Sequence, residues 1–358
     1  MKGPIRRFGL PALGAAVLAL AVGACGSSSS SSSSSSSAGS ASSSSSASGG
    51  AAAGGSFKVG LVTDIGGLND HGFNHLAYTG LLLAEKQLGI QGTVLQSTSG
   101  ADYLPNLTKL AQGGDNLVIS VGFLMQTATY QVAKQFPNVK FAMIDSDATM
   151  PVAPKNVEGL LFREQQAGYL AGYLAGLYAK EHSFKVISSV GGQKIPPVDH
   201  YIAGYQAGAK AADPGIKTLN GYSQDFVDQS KCKEIALNQI QQGSKVVFQV
   251  AGACGLGALS AAKGAGDQGI GVDADQAYLG PYILTSAEKR VDLAAYNAIK
   301  ALKAGQFVAG NNVFNTVTNG GIGYGKIGPA GTKFAAQIAK IFKEIKSNKI
   351  SNIPDTVP

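Results

Sequence analysis

The segment from Lys58 to Asn74 carries residue types suited to binding a small polar ligand. A short apolar run, Val59 to Val62, predicts a strand that ends at Asp64 and two glycines. The ring of Phe73 and the amide of Asn74 follow, just before a helical pattern begins. In open α/β sheets, small ligands bind at the carboxyl ends of the strands. The segment therefore predicts a binding loop that offers a carboxylate, an amide and a flat aromatic ring.

Carboxylates also follow two later predicted strands. Asp145 comes directly after Phe141 to Ile144, and Asp273 comes directly after Ile270 to Val272. A carboxylate placed there can accept hydrogen bonds from two vicinal hydroxyls, each worth roughly 1.5–3 kcal/mol. A metal site at Asp273 and Asp275 is the alternative, but a calcium loop would need more acidic residues at close spacing. We expect no metal.

Two other positions between strands and helices are candidates for ligand contact. Phe226 lies between a predicted strand and a helix, where a single aromatic ring more often belongs to the core. Gly252 follows the apolar run Val246 to Val250 and precedes a helix predicted over Ala258 to Gly266. Backbone amides at a helix start can meet a polar ligand atom. A tight connecting turn without a ligand is the equal alternative.

Enzymatic chemistry has little support in the sequence. The four histidines are scattered, and no Ser/His/Asp arrangement or GxSxG turn is present. The segment Gly323 to Gly328 matches GxGxxG, but no helix opens on it, so it predicts a loop and no dinucleotide cofactor. We expect no enzyme and no cofactor, while a hydrolase with a carboxylate pair stays open.

The first 24 residues indicate an export signal. A positively charged start precedes the apolar run Leu10 to Val22, and small residues lead to Cys25. A cysteine at the cleavage site is typical of a bacterial lipoprotein, so Cys25 is the expected lipidation site, on the outer face of the cell membrane. An ordinary signal or a membrane anchor is the alternative, although a membrane helix needs about 20 residues. The Ser/Ala/Gly-rich residues 25–56 predict a flexible tether.

The rest of the chain has the composition of a globular protein. It has 358 residues in all, 44% of them apolar, enough for two packed lobes. The formal charge of +7 falls to +4 when Lys2, Arg6 and Arg7 leave with the signal. Basic residues are scattered apart from Lys340 to Lys349, which predict a solvated helix face. We therefore expect no nucleic-acid partner.

Short strand patterns alternate with helical patterns from Val59 to Ala304. This alternation predicts parallel sheets covered by helices on both faces. There are too many strands for one compact sheet, so the predicted fold class is α/β with two Rossmann-like lobes.

Two cysteines remain after Cys25. Cys232 lies near the start of a predicted helix, and Cys254 lies just past the next strand. These positions meet at one edge of a sheet, and cysteines of exported proteins commonly pair. A disulfide is expected, with two free buried thiols as the alternative.

Several motifs in order then resemble one known family. They are VTDIGGLNDHGFN at Val62–Asn74, EQQAGYLAGYLAG at Glu164–Gly176, GGQKIPPVDHYIAGYQAG at Gly191–Gly208, GVDADQ at Gly271–Gln276 and LTSAEKRVD at Leu284–Asp292. From about Phe57 to Ile327 the chain resembles the basic membrane protein family of ABC-transporter substrate-binding lipoproteins, of the purine-nucleoside-binding type. The resemblance implies two lobes joined by three hinge crossings, as in type I periplasmic binding proteins. Lobe 1 would hold 57–160 and 286–313, and lobe 2 would hold 161–285 and 314–358.

The resemblance also implies ligand contacts. Phe73 and Phe226 would sandwich a purine base, one from each lobe. Asp64, Asn74 and Asp145 would face the polar edge of that base. The implied partners are a nucleoside and an ABC permease in the membrane, and the receptor would be monomeric.

For the sugar, the resemblance implies contacts from Asp273 to the ribose hydroxyls and from Lys289 to the same sugar. The turn at Gly252 would close over the ligand. The chain departs from the family pattern at Asn69 to Gly72 and in having Cys232 and Cys254. A sensor of a sugar or signalling molecule on the same fold is the alternative function.

Overall fold

The computed structural model describes residues 56–358. The expected signal, the lipidation site Cys25 and the tether up to residue 55 lie outside that part. Within it the strands are β1 Lys58–Val62, β2 Gln91–Leu95, β3 Leu117–Val121, β4 Lys140–Ile144, β5 Val157–Phe162, β6 Val186–Gly191, β7 Lys217–Tyr222, β8 Ser244–Val250, β9 Gln268–Asp273, β10 Ile283–Lys289, β11 Asn312–Asn315 and β12 Ile322–Tyr324.

Helices connect most of these strands. They are α1 Phe73–Leu88, α2 Tyr103–Gln112, α3 Gln126–Gln135, α4 Glu164–Glu181, α5 Pro196–Ala212, α6 Gln229–Gln241, α7 Gly252–Gly264, α8 Val291–Lys303 and α9 Ala335–Lys346. None of the helices within residues 56–358 combines the length and the apolar character that crossing a membrane requires.

The strands form two six-stranded sheets. The first has the order β11-β5-β4-β3-β1-β2 and is parallel throughout. The second has the order β12-β10-β9-β8-β6-β7, and only β12 runs antiparallel to its neighbour. The predicted fold class, two Rossmann-like α/β lobes, is confirmed.

Three crossings join the two sheets. The chain leaves the first sheet after β5, returns to it after β10, and leaves it again after β11. The lobe bounds expected at residues 160, 285 and 313 fall inside these three strands, so each crossing comes a few residues later than predicted. The last residues of all three strands are therefore close to the hinge.

Sequence patterns missed β5, β7, β11, β12 and α2. Polar Glu158 and Gly159 interrupt the apolar run of β5, and β7 is a half-exposed edge strand without a clear apolar face. The prediction of a loop at Gly323 to Gly328 is wrong only at its first two residues, which belong to β12 and pair with β10. The antiparallel pairing gives the backbone N–H and C=O groups of β10 hydrogen-bond partners on that side of the sheet. A local sequence pattern cannot show such a pairing.

Strand β3 runs through the middle of the first sheet and is buried over its whole length. Its apolar residues Leu117, Ile119 and Val121 pack with residues of β1 and α1 in the larger core. Helices on both faces explain why a central parallel strand has no exposed side. The polar ends of such strands are then the places where a ligand can enter.

Candidate ligand-binding cleft

A cavity lies between the two sheets at the carboxyl ends of their strands. Counted together with the open solvent at its mouth, the space between the lining residues is about 630 Å³. The structure brings all eight residues predicted as ligand contacts to its wall: Asp64, Phe73, Asn74, Asp145, Phe226, Gly252, Asp273 and Lys289. Their roles in binding stay predictions.

Asp70 organises the loop between β1 and α1. Its two carboxylate oxygens accept the backbone N–H groups of Gly72 at 3.0 Å, Asn74 at 2.7 Å and His75 at 3.1 Å. These are the donors that the first turn of a helix leaves without intrahelical partners. Asp70 therefore caps α1, and it fixes the place where Phe73 enters the cavity.

The side chain of Asn74 is used mainly to hold the same loop. Its Oδ1 accepts the backbone N–H of Asp64 at 2.7 Å, and its Nδ2 donates to Asp70 Oδ2 at 3.1 Å. Asn74 lines the cavity, yet most of its hydrogen-bonding capacity is already satisfied. Its first effect is to orient Asp64.

Asp64 has one occupied and one open carboxylate oxygen. Its Oδ1 accepts the backbone N–H of Ile65 at 2.7 Å and the hydroxyl of Tyr103. Within the described residues, its Oδ2 accepts no hydrogen bond, and a Cβ at Gly122 would lie 2.6 Å from it. The glycine thus keeps room around an acceptor that lines the cavity.

Each of the two phenylalanine rings lies against a glycine at the end of a central strand. A Cβ at Gly122, directly after β3, would lie 3.3 Å from Phe73 Cε1. A Cβ at Gly192, directly after β6, would overlap Phe226 Cε1 and Cδ1. Small residues in both places let the rings pack against backbone while lining one cavity.

Asp145 and Asp273 both have left-handed backbone conformations. Their φ angles are 66° and 62°, and each follows or ends a central strand, β4 in one sheet and β9 in the other. Non-glycine residues in this region are uncommon and concentrate at functional sites. The same strained geometry therefore occurs on both sides of one cavity.

Lys289 ends β10 and is 2% exposed, with its ammonium held by carboxylates. Its Nζ lies 2.7 Å from Asp145 Oδ2, 2.6 Å from Asp145 Oδ1 and 2.9 Å from Glu164 Oε1. It also lies 5.1 Å from the centroid of the Phe73 ring. An ammonium has three donors, so one hydrogen remains after Asp145 and Glu164 have each accepted one.

Glu164, the first residue of α4, connects this lysine to a histidine. Its Oε2 lies 3.0 Å from His200 Nδ1, and His200 is partly exposed. Burial by itself raises the pKa of Glu164, but the charges and hydrogen bonds of Lys289 and His200 outweigh it and lower the pKa. Glu164 is therefore ionised, and its carboxylate forms the second ion pair of Lys289.

Burial raises the pKa of the carboxylates around the cavity. It raises the pKa of Asp64 to about 6 and that of Asp273 to about 6, the latter against an opposing effect of Lys289. It raises the pKa of Asp145 to about 7, again opposed by Lys289. Desolvation favours the neutral acid, so these groups are poised to be stabilised by a ligand that donates hydrogen bonds.

Asp273 resembles Asp64 in having one open oxygen. Its Oδ1 accepts the Tyr201 hydroxyl at 3.1 Å. No hydrogen bond to its Oδ2 is formed by the described part of the chain, and a Cβ at Gly72 would lie 3.9 Å from that atom. Because Gly72 precedes α1 and Asp273 ends β9, the two sheets approach each other closely at this point.

Four residues that organise the cavity were not among the predicted site residues. They are Asp70, Tyr103, Glu164 and Tyr201. A signal existed for Asp70, since short acidic side chains just before a helical pattern often accept the free N–H groups of the first helical turn. For Tyr201 and Glu164 no local signal exists, because each acts through a partner more than 70 residues away.

Gly252 is the first residue of α7 and not part of a separate turn, because the helix begins there instead of at Ala258 as predicted. Its φ of 55° is left-handed, which only glycine adopts without strain. Cys254 follows in the first turn and forms a disulfide with Cys232 of α6. Two helix starts are thus linked covalently at the edge of the cavity.

The fold and cavity define a class of protein. Two six-stranded α/β lobes, three crossings and a cavity between the sheets are the architecture of type I periplasmic solute-binding proteins. The chain belongs to the family described as ABC transporter substrate-binding protein PnrA-like, whose model matches residues 57–356. The members of this family are non-enzymatic binding proteins, so the expectation that the chain is not an enzyme is confirmed.

Curated relatives support the same membership. An uncharacterized lipoprotein of Pyrococcus horikoshii is 36% identical over 305 residues, which is 82% of this chain and 74% of the relative. The ABC transporter nucleoside-binding protein BmpA of Lactococcus lactis is 33% identical over 316 residues, or 82% and 88% of the two chains. The chain is thus similar both to lipoproteins and to a nucleoside-binding protein.

Solved structures agree on the fold. An ABC transporter solute-binding protein from Aeropyrum pernix superposes with a TM-score of 0.75 at 26% identity, covering 83% of this chain and 94% of the other. One from Conexibacter woesei superposes with a TM-score of 0.68 at 23% identity, covering 84% and 100%. The second likeness concerns the fold alone.

Proposed function

We propose that the protein is a lipid-anchored receptor that binds a purine nucleoside between its lobes and delivers it to an ABC permease. The observation that carries the proposal is the pairing of Phe73 and Phe226 in one cavity, since the two rings come from different lobes. A planar, partly polar ligand suits two rings flanked by open acceptors. The nucleoside-binding relative of Lactococcus lactis supports this choice.

The base half of the ligand would lie near lobe 1. Asp64 Oδ2 is open, and Asn74 holds the Asp64 backbone in place. A purine presents ring and exocyclic N–H donors at its edge, which a carboxylate can accept. Stacking would add about 0.5–1.5 kcal/mol per aromatic pair beyond the burial of area. Closure by hinge bending would bring the second ring, Phe226, onto the base.

The sugar half would lie near Asp273 and Lys289. A carboxylate with one open oxygen accepts from a ribose hydroxyl, and the remaining donor of the lysine can reach a sugar oxygen. Both groups are buried, so their hydrogen bonds to a ligand would be shielded from water. Charge-assisted bonds of this kind are worth roughly 1.5–3 kcal/mol each.

For the location of the receptor, we propose anchoring through the N-terminal segment. Lipidation of Cys25 and a tether to residue 55 would hold the binding domain, as a monomer, at the outer face of the membrane beside its permease. Several relatives are lipoproteins or membrane proteins by name. Multiple acyl chains give stable anchoring where one does not.

The proposal can be tested by calorimetry with the purified mature protein, after partial unfolding and dialysis to remove any bound ligand. We expect tight binding of inosine, guanosine or adenosine and much weaker binding of free ribose. If no nucleoside gives heat or a thermal shift, the proposal is wrong. If free ribose binds as tightly as the nucleosides, the protein would instead be a sugar sensor on the same fold.

A further inference from the structure

We propose that the disulfide between Cys232 and Cys254 is a positioning device for Phe226, the stacking ring of lobe 2. The expected effect on nucleoside affinity rests on the proposed function, whereas the expected effect on the order of the loop does not. Both cysteines are fully buried in an apolar cluster with Val190, Ala236 and Val247. The cystine joins the first turn of α6 to the first turn of α7, with the two Cα atoms 5.6 Å apart.

The first of these helices continues directly from the loop that carries the ring. Phe226 stands three residues before α6, in the segment 223–228 between β7 and α6. Its carbonyl oxygen accepts the backbone N–H of Cys254 at 3.0 Å. The cystine therefore closes a short path from the ring, through the start of α6, to the helix that bears Gly252 in the cavity wall.

The beginning of the loop has separate anchors in the sheet. The backbone N–H of Ser223 donates to Gly191 O at 2.9 Å, and that of Gln224 donates to Gly192 O at 3.0 Å. These bonds extend the β6–β7 pairing and hold the first half of the loop, up to position 224. They place its first half against the backbone on which the Phe226 ring packs.

Apart from the hydrogen bond from the Cys254 N–H to the Phe226 carbonyl, the second half of the loop has only weak restraints besides the cystine. Asp225 Oδ1 accepts from Val227 at 2.8 Å and from Asp228 at 3.0 Å, but these bonds are internal to the loop. The ion pair of Asp225 with Lys231 involves a lysine side chain that is 52% exposed, and such pairs contribute little. Val227 is also exposed. The covalent link is therefore the strong restraint on this side of the ring.

A held ring binds more tightly than a free one. Ordering a loop and its side chain on binding reduces affinity, and a restraint present before binding removes that cost. Of the residues in the loop, only Phe226 lines the cavity. By holding Phe226, the cystine thus favours the binding of a flat aromatic group of the ligand.

The test uses the mature protein with Cys232→Ala and Cys254→Ala together, which suits the apolar surroundings and leaves no free thiol. Val247→Ala is the matched control, because it opens a cavity in the same cluster and keeps the disulfide. We expect amide hydrogen exchange of segment 224–230 to accelerate in the double variant and not in the control. The affinity for the best nucleoside should fall about tenfold in the double variant only.

The two measurements separate the possible failures. If the native protein binds no nucleoside, the proposed function fails, and exchange of segment 224–230 still tests the cystine. Unchanged exchange in the double variant, or equal losses of affinity in the double variant and in Val247→Ala, would overturn the inference and leave the disulfide a general stabiliser of lobe 2.

Discussion

Lys289, at the end of the last long strand of the second sheet, is bound to Asp145, at the end of a strand of the first sheet. Its Nζ lies 2.7 Å from Asp145 Oδ2, and both side chains are nearly inaccessible to solvent. This buried ion pair crosses between the lobes beside the proposed ligand. The same ion pair therefore holds the two lobes in contact, sets the charge of the cavity wall and contributes to the stability of the fold.

Lys289→Met should destabilise the protein strongly. It leaves Asp145 and Glu164 buried without their cation, and loss of one partner of a buried pair costs about 3–5 kcal/mol. Urea unfolding of ligand-free protein measures the change. Lys349→Met is the matched control, because this lysine also pairs with a carboxylate, that of Glu344, but is 71% exposed, and the substitution should leave the unfolding free energy nearly unchanged. Equal effects of the two substitutions would contradict a structural role for the buried pair.

Asp273→Asn should stabilise the ligand-free protein while weakening riboside binding. The folded pKa of Asp273, about 6, lies above its ordinary 3.8, so the ionised carboxylate opposes folding above pH 6. This cost vanishes as the pH falls towards 4. At pH 7.5 the gain should be of order 1–3 kcal/mol, and at pH 4 it should be much smaller. Thermal unfolding at both pH values measures it, and an equal gain at both would show that charge is not the cause.

Nucleoside affinity should fall as the pH drops below about 6. Burial raises the pKa of Asp64 and of Asp273 to about 6, and only the ionised forms accept hydrogen bonds with both oxygens. Donors of the ligand stabilise the ionised forms, so binding near pH 6 should release protons. Calorimetry in two buffers of different ionisation enthalpy measures this release. An affinity that stays constant from pH 5 to 8 would exclude both carboxylates as the acceptors.

A tryptophan at position 226 should report the ligand directly. The chain contains no tryptophan, so Phe226→Trp has a single emitter in the cavity wall. We expect its emission to change when a nucleoside stacks on it, and adding Phe73→Ala should weaken binding at least tenfold by removing the opposite ring. Phe314→Trp is the control, since Phe314 is exposed and outside the cavity. A response at 314 but not at 226 would place the ligand elsewhere.

Gly192→Ala should weaken binding without unfolding the protein. Its Cβ would overlap the Phe226 ring, and the half-buried ring can move only by shifting in the cavity. Gly264→Ala is the control, because at the end of α7 nothing lies within 4 Å of a new Cβ. Alanine is also the better helix former there. If Gly192→Ala binds like the native protein, the packing of the ring on Gly192 does not position it for the ligand.

Much of the candidate site could be predicted because strand ends are visible in sequence. Asp64, Asp145 and Asp273 each follow an apolar run, and parallel strands bring such ends to one edge of a sheet. Local pattern and the order of motifs thus sufficed to name eight of the residues that line the cavity, but not Asp70 or Tyr201. The same patterns missed β7 and β11, since edge strands lack the buried periodicity on which such predictions rest.

Which atoms remain free for a ligand was decided only by the tertiary structure. Asn74 was predicted to face the base, yet its amide is largely used to hold Asp64 and Asp70. Lys289 was predicted to contact the sugar, and two of its three donors are taken by carboxylates distant in sequence. The sequence by itself determined the residue types at the strand ends and the family to which the chain belongs. The partners of Lys289 lie more than a hundred residues away in the chain, and those of Asn74 depend on how the loop before α1 folds, so only the folded chain decides them.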